Sequence, residues 1–207
     1  MAAALLDGMG RRPEVDLAVV AHATPDLDCR LSVVTYLADA LPGQPTTFTI
    51  TDCGDAPVHT LLRVVGAHAR RHGARRALAL LFDQATLPYD TGRNLAGDAA
   101  VALLLDDADG GGEVGLSDVL DVPPEGVPSV LDAFLANLPP SATVVAGPGL
   151  AGVVDPGHPG RVVRVRPGFP ATGGVTAALR AGADDIVLLD HELGRRELRV
   201  CRLRWGG

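Results

Sequence analysis

Aromatic residues are scarce in this chain, 3% of 207 residues. A core therefore cannot be built around rings, and the 47% hydrophobic fraction must pack as aliphatic helix and strand faces. Cysteine is also sparse. Cys29, Cys53 and Cys201 are odd in number and far apart, which excludes a disulfide framework and a paired Cys-x-x-Cys zinc site and fits a reducing cytoplasm. No apolar run approaches the roughly 20 residues needed to span a bilayer, so no membrane association is expected. The opening "MAAALLDGMGRRPEVD" has a short apolar stretch with no basic leader before it, and is not read as a signal peptide. Positive charge is in deficit. The net charge of -7 runs against a nucleic-acid partner, and the local group Arg70, Arg71, Arg75 and Arg76 reads as a solvated helix end.

What is present is an alternation of strand and helix. Leu17 to Ala21 form a short aliphatic block closed by His-Ala-Thr-Pro, a buried strand ending in a polar loop. "LDCRLSVVTYLADAL" carries apolar residues at helical spacing and stops before Pro42. "TTFTIT" is β-branched and reads as a strand; "APVHTLLRVVGAHARRHG" is a helix entered through Pro57 and ended by Gly73. "RALALLFDQ" is a fully apolar strand, and "NLAGDAAVALLLDDADGGG" holds another, turned out by Asp and Gly. Residues 116 to 129, rich in Pro, Asp and Gly, read as a crossing between two halves. The second half offers the helix "VPSVLDAFLANL", the strands "ATVVA" and "RVVRVR", the helix "GGVTAALRAG", and a hairpin of "DIVLLDHEL" and "RELRVCRLRW" joined by "LGRR". The expected class is α/β with mixed sheets covered by helices, in one compact unit of two halves, 1–125 and 126–207, the second reduced.

The stretch "TITDCGDAPVHTL", residues 49 to 61, turns from a strand through an elbow into a helix. A helix N-terminus carries unpaired N–H groups and partial positive charge, which lower a thiol's pKa and favour a nucleophilic thiolate. Together with "AVVAHATPD", the strand "ALALLFDQ" and "GDAAVALLLDD", the elbow resembles the first half of thiolase-superfamily condensing enzymes. The pattern is most similar to that of β-ketoacyl-acyl-carrier-protein synthase III and its acyltransferase relatives. It covers residues 15 to 110 well and the rest faintly. The resemblance implies a thiolase-like fold, a nucleophilic Cys at the helix tip, and a His and an Asn from the second half that polarise a thioester carbonyl.

This sequence departs from that set. Alignment on Phe48 and Gly73 places the nucleophile at Asp55, matching "GDA" to the family's Gly-Cys-Ala, with Cys53 two residues early; either residue stands as the positional equivalent. A carboxylate suits a helix tip but is a poor acyl acceptor, since the anhydride it would form is less stable than the thioester it replaces. Where the His is expected the chain reads "VVAGPGLAG", and where the Asn is expected, "FPATGGVTAAL". The nearest His is His158, in a Gly/Pro-rich loop. His59, four residues after Asp55, could pair with it as a general base or be a satisfied half-buried His.

Other clusters read as structure. His22, Asp26, Asp28 and Cys29 lack a matching second ligand pair for a metal, and Asp26 is a natural N-cap. Alternation puts His191 on the opposite face from Asp190 and Glu192, against a triad. The expectation is a non-condensing ketosynthase III-like partner or accessory subunit in acyl or polyketide-type specialised metabolism, without a cofactor or metal. It would pair as a homodimer, or as a heterodimer with an intact ketosynthase-like subunit, through Ala77 to Phe82 as an edge strand. The alternative is an acyltransferase or thioesterase acting on acyl-carrier-protein or coenzyme A thioesters through Cys53 or an Asp55/His59 pair. A third reading is a binding module that docks an acidic carrier protein on Arg63, Arg70 and Arg71.

Overall fold

A computed structural model of the chain describes residues 1–24, 32–51, 53–54, 56–88, 90, 92–106, 113–114, 118–154 and 161–204. The fold divides into two units, Met1–Asp109 with Gly168–Thr172, and Gly110–Pro167 with Gly173–Gly207.

Unit 1 contains α1 (Ala2–Gly8), β1 (Leu17–His22), α2 (Val33–Ala40), β2 (Thr46–Ile50), α3 (Pro57–His72), β3 (Arg76–Asp83) and β4 (Ala99–Asp106). Its sheet runs β2-β1-β3-β4, with β1 parallel to both neighbours and β4 antiparallel to β3. All six residues of β1 are buried, as expected for an aliphatic strand with both faces covered. From β1 the chain goes to β2 on one side, then crosses back through α3 to β3 on the other. Right-handed crossovers in opposite directions put α2 and α3 on opposite faces of the sheet. Accordingly Ala18 and Val20 of β1 and Leu78, Leu80 and Phe82 of β3, all on one face by alternation, form a core cluster with Leu6 of α1 and Leu37 of α2. On α3 the inward residues are Val58, Leu61, Leu62 and Val65. Pro57 starts this helix, and Gly73 ends it at φ 69°, its N–H bonding the carbonyl of Ala69 at 2.8 Å.

The sheet order corrects one expectation. Ala77 to Phe82 does not lie at an edge: β3 sits between β1 and β4. The continuous apolar run reflects burial on both faces of a central strand rather than an edge awaiting a partner.

Unit 2 contains β5 (Glu113–Val114), β6 (Asp118–Asp121), α4 (Val127–Ala136), β7 (Thr143–Ala146), β8 (Arg161–Arg164), α5 (Gly173–Ala181), β9 (Asp185–Glu192) and β10 (Glu197–Arg204). Its sheet runs β5-β10-β9-β7-β8, and β6 also pairs with β10. Residues 118 to 121 were expected to lie in a crossing loop; they form β6, antiparallel to Glu197–Val200. The β9–β10 hairpin is present in the register Glu197↔Glu192. Strand for strand, β8-β7-β9-β10 repeats the order β2-β1-β3-β4 of unit 1, with the same parallel and antiparallel pairings. Each unit is thus a copy of one topology, although no fixed-period repeat is visible in the sequence.

Candidate functional site

Six residues, 51 to 56, connect β2 to α3 and form the elbow. Asp55 lies outside the described residues, as do Asp26, Asp28, Cys29 and His158; the Asp55/His59 pair and the His22 cluster are therefore located only through His59 and His22. Cys53 is half-buried, and its Sγ donates to the Thr51 carbonyl at 3.2 Å, so the thiol turns back on the strand exit. Neither Cys53 nor Cys201 is in a disulfide. Gly54 follows at φ 73°, a left-handed conformation that reverses the chain and that glycine adopts without strain. Its carbonyl accepts a bond from the Arg93 guanidinium at 3.3 Å, which ties the elbow to the 84–98 loop. Ala56, the N-cap of α3, makes no side-chain cap bond.

His59 is 2% exposed, on the inward face of α3 with Val58 and Leu62. On the same helix the His68 ring packs at a tilt against Phe48 of β2, ring centroids 5.9 Å apart, and against His72 at 4.4 Å. These contacts fasten the strand before the elbow to the helix after it. Arg63, Arg70 and Arg71 are exposed along α3.

The segments expected to carry the His and the Asn are occupied differently. After β7 the chain turns through Gly147, Pro148 and Gly149. A Cβ at Gly147 would run into the Asp190 carboxylate, and one at Gly149 into the backbone carbonyl of His191. The Asp190 carboxylate accepts N–H bonds from Gly149 at 3.1 Å and from His191 at 2.9 Å. No side chain has room at either glycine. The second segment, Ala171 and Thr172 before α5, is held by Asp83. That fully buried carboxylate accepts the N–H of Ala171 at 3.0 Å, the N–H of Thr172 at 2.8 Å and the Thr172 hydroxyl at 2.7 Å.

The two carboxylates are equivalent in the repeated topology. His22, the last residue of β1, pairs with Phe82, and Asp83 comes next; Ala146, the last of β7, pairs with Leu189, and Asp190 comes next. Sequence reasoning missed Asp83 and weighed Asp190 only as a triad member. The available signal was an aliphatic strand ending in a lone Asp, twice: "LALLFD" and "IVLLD". The members of Asp190-His191-Glu192 point to separate partners. His191 Nε2 donates to the Val122 carbonyl at 2.9 Å, and Glu192 pairs with Arg199 at 2.6 Å and Arg195 at 3.4 Å. Among the described residues no group of three His, Cys, Asp or Glu could hold a metal ion, and no helix is long and apolar enough to cross a membrane.

Comparison with solved structures gives matches along almost the whole chain. The tetronic acid condensing enzyme AbyA1 superposes with a TM-score of 0.68 at 19% identity, covering 98% of this chain and 84% of that one. The 3-oxoacyl-(acyl carrier protein) synthase III of Pseudomonas aeruginosa PAO1 gives 0.56 at 19% identity, covering 100% and 81%. OleA of Xanthomonas campestris with cerulenin gives 0.67 at 16% identity, covering 99% and 77%. This chain has a thiolase-like, ketosynthase III-like fold. No family model matches the sequence, nor does any curated protein. Within the thiolase-like fold, the β2–α3 elbow is the segment that the resemblance assigns to the nucleophile. Residues 144–152, which include Gly147–Gly149, and residues 169–179, which include Ala171–Thr172, are the segments that it assigns to the His and the Asn, and in each a carboxylate grips part of the backbone.

Proposed function

We propose that this chain is a non-condensing, ketosynthase III-like accessory or partner subunit in acyl or polyketide-type specialised metabolism. The observation that carries the reading is the close approach at Gly147 and Gly149, where the segment expected to present a catalytic His lies against Asp190 and His191 with no room for a side chain. Condensation needs a donor aimed at the developing oxyanion of the extender thioester, and this turn has none to offer. Solved structures of a tetronic acid condensing enzyme and of 3-oxoacyl-(acyl carrier protein) synthases III share the fold, which favours an acyl-thioester or carrier-protein context.

Cys53 supports a second reading, acyl transfer or thioester hydrolysis through a thiol at the elbow. Intact mass spectrometry after treatment with acyl-coenzyme A, and separately with iodoacetamide, distinguishes the two. The partner-subunit reading expects no acyl adduct on any residue; a stoichiometric acyl adduct on Cys53 would refute it.

A partner would add to an open sheet edge. With β3 central, the edges of this sheet are β2 and β4, and we take β2, whose five residues, Thr-Thr-Phe-Thr-Ile, carry no charge or proline to block pairing. Light scattering is expected to give a dimer, and Thr47→Pro to give a monomer. A wild-type chain that stays monomeric at micromolar concentration removes the homodimer.

A further inference from the structure

The six histidines of this chain differ in what engages them. A ring nitrogen of His22 bonds the Thr24 carbonyl and one of His191 bonds that of Val122, while His59 is buried. His68 and His72 stand apart. They lie in the last two turns of α3, His68 half-buried and His72 exposed, and among the described residues neither ring takes part in a hydrogen bond or an ion pair. Residues four apart on a helix share a face. The two ring centroids are 4.4 Å apart, with the planes 33° from parallel. Each neutral imidazole has one nitrogen whose lone pair accepts, so this face of α3 offers two, one turn apart.

Two imidazoles at this spacing on a helix suit one metal ion. An ion that bonds both nitrogens at about 2.0–2.1 Å needs them roughly 3 Å apart, a separation that side-chain rotation reaches from the observed ring spacing. His68 is steadied by Phe48 of β2, ring centroids 5.9 Å apart, and the exposed His72 has room to turn towards it. The last carbonyls of a helix carry partial negative charge, which favours a cation. Arg70, two residues from each ring, belongs to the other side of the helix, whereas Arg71 borders the pair and opposes a cation. α3 contains no Asp or Glu, so this helix gives no oxygen ligand to Ca²⁺ or Mg²⁺. Imidazole suits Ni²⁺, Cu²⁺ and Zn²⁺ instead. Among the described residues no third His, Cys, Asp or Glu completes a set, so water takes the remaining coordination positions.

We infer that His68 and His72 form a binding site for a divalent d-block cation of the Ni²⁺, Cu²⁺ and Zn²⁺ class, chelated by the two imidazoles across one turn of α3. The step is binding only, and the bound ion ties His72 to His68 and so to Phe48 of β2. The site is at the other end of α3 from the elbow, and the inference does not depend on the proposed function. The test uses the full chain without a polyhistidine tag and takes Ni²⁺ as the probe, since it is paramagnetic and does not oxidise thiols. Calorimetry is expected to show one site, and the ring resonances of His68 and His72 should broaden before those of any other His. His68→Ala and His72→Ala should each weaken binding roughly tenfold or more. Arg70→His combined with His72→Ala keeps two imidazoles at a spacing of two, where they do not face one another, and should bind no better than His72→Ala alone. The unfolded chain lacks the helical spacing, so Ni²⁺ should raise the urea midpoint of the wild type and not that of His72→Ala. No saturable binding at millimolar Ni²⁺, first broadening at another His or elsewhere in the chain, or unchanged affinity in either alanine variant would each overturn the inference. The broadening is read on the unmodified chain, so the result stands even if a variant fails to fold.

Discussion

Replacing Gly149 by alanine adds one methyl group, and the structure allows its effect to be worked out. The new Cβ would strike the His191 carbonyl oxygen, with the His191 carbonyl carbon at 2.9 Å and an Asp190 carboxylate oxygen at 3.0 Å. The carbonyl is backbone of β9, fixed between β10 and β7, so the turn must move instead. That turn is held by the Gly147 N–H to Leu189 at 2.7 Å and the Gly149 N–H to Asp190 at 3.1 Å. Overpacking costs about 1–3 kcal/mol, and each N–H left unpaired about 1–3 kcal/mol more. With one of these two bonds given up, the expected loss for Gly149→Ala is roughly 2–6 kcal/mol. Gly147 behaves differently. Its φ of -68° suits any residue, and its obstacle is the Asp190 side chain, not backbone. Asp190→Ala alone strands the N–H groups of Gly149 and His191, about 2–6 kcal/mol. Gly147→Ala should add little to that variant, because its methyl enters the vacated space, whereas Gly149→Ala should still add the cost of its clash with the His191 carbonyl. Urea unfolding followed by circular dichroism measures all five proteins. A Gly149→Ala variant within about 0.5 kcal/mol of wild type, or one rescued by Asp190→Ala, would refute the reasoning and with it the argument that a His cannot be accommodated there.

Asp83→Ala and Thr172→Val both break the hydroxyl-to-carboxylate bond at 2.7 Å. A double-mutant cycle in urea is expected to give a coupling of about 1.5–3 kcal/mol, and a coupling indistinguishable from zero would show that Asp83 does not hold this segment. Asp185 is held below its ordinary pKa of 3.8, first by hydrogen bonding from the Arg202 guanidinium and then by the charges of Arg202 and Arg204. A carboxylate lowered in the folded state contributes stability that is complete above the unfolded value and is lost as pH falls through the folded one. The urea midpoint should thus decline on acidification below about pH 4, and Asp185→Asn should flatten that decline; an equally steep fall in the variant would exclude this pair as a source of acid lability. Asp16 and Asp98 are lowered too, by backbone N–H bonds from Arg76 and Arg75 and by the Thr86 hydroxyl with the Ala85 N–H, and they leave a residual slope of the same sign.

The elements of unit 1 were legible because local signals agreed with burial. Pro57 and Gly73 bracket α3, and the aliphatic blocks of β1 and β3 are the strands covered on both faces. What failed was position within the sheet. The apolar run of β3 is equally consistent with a central strand and with an edge awaiting a subunit, and only pairing partners decide between them. β6 was lost because four residues, Asp-Val-Leu-Asp, carry too little pattern among Pro and Gly to register as a strand. Asp83 reaches partners 88 and 89 residues away. No local spacing encodes such a bond, so a lone Asp at a strand end could be read only as a terminus. At the elbow, the sequence showed a thiol near a helix tip but not its direction, which the bond to the Thr51 carbonyl supplies.

The repeated topology bears on where any chemistry could reside. Asp83 and Asp190 fall at equivalent positions of the two units and do the same work, each accepting backbone N–H groups from an adjoining segment. A feature present in both copies is explained by what the copies share, which is architecture, rather than by a reaction confined to one site. Such a clamp draws the gripped backbone close to the strand end; at Gly147 and Gly149 it does so closely enough that only glycine fits. A catalytic imidazole there would have to push the turn off its carboxylate, so the clamp and the imidazole exclude one another. Among the described residues of the elbow, Cys53 carries a half-buried thiol whose Sγ donates to the Thr51 carbonyl. On the proposed reading, a step at the elbow would run without an imidazole from the turn after β7, and a nucleophile alone would have to carry it.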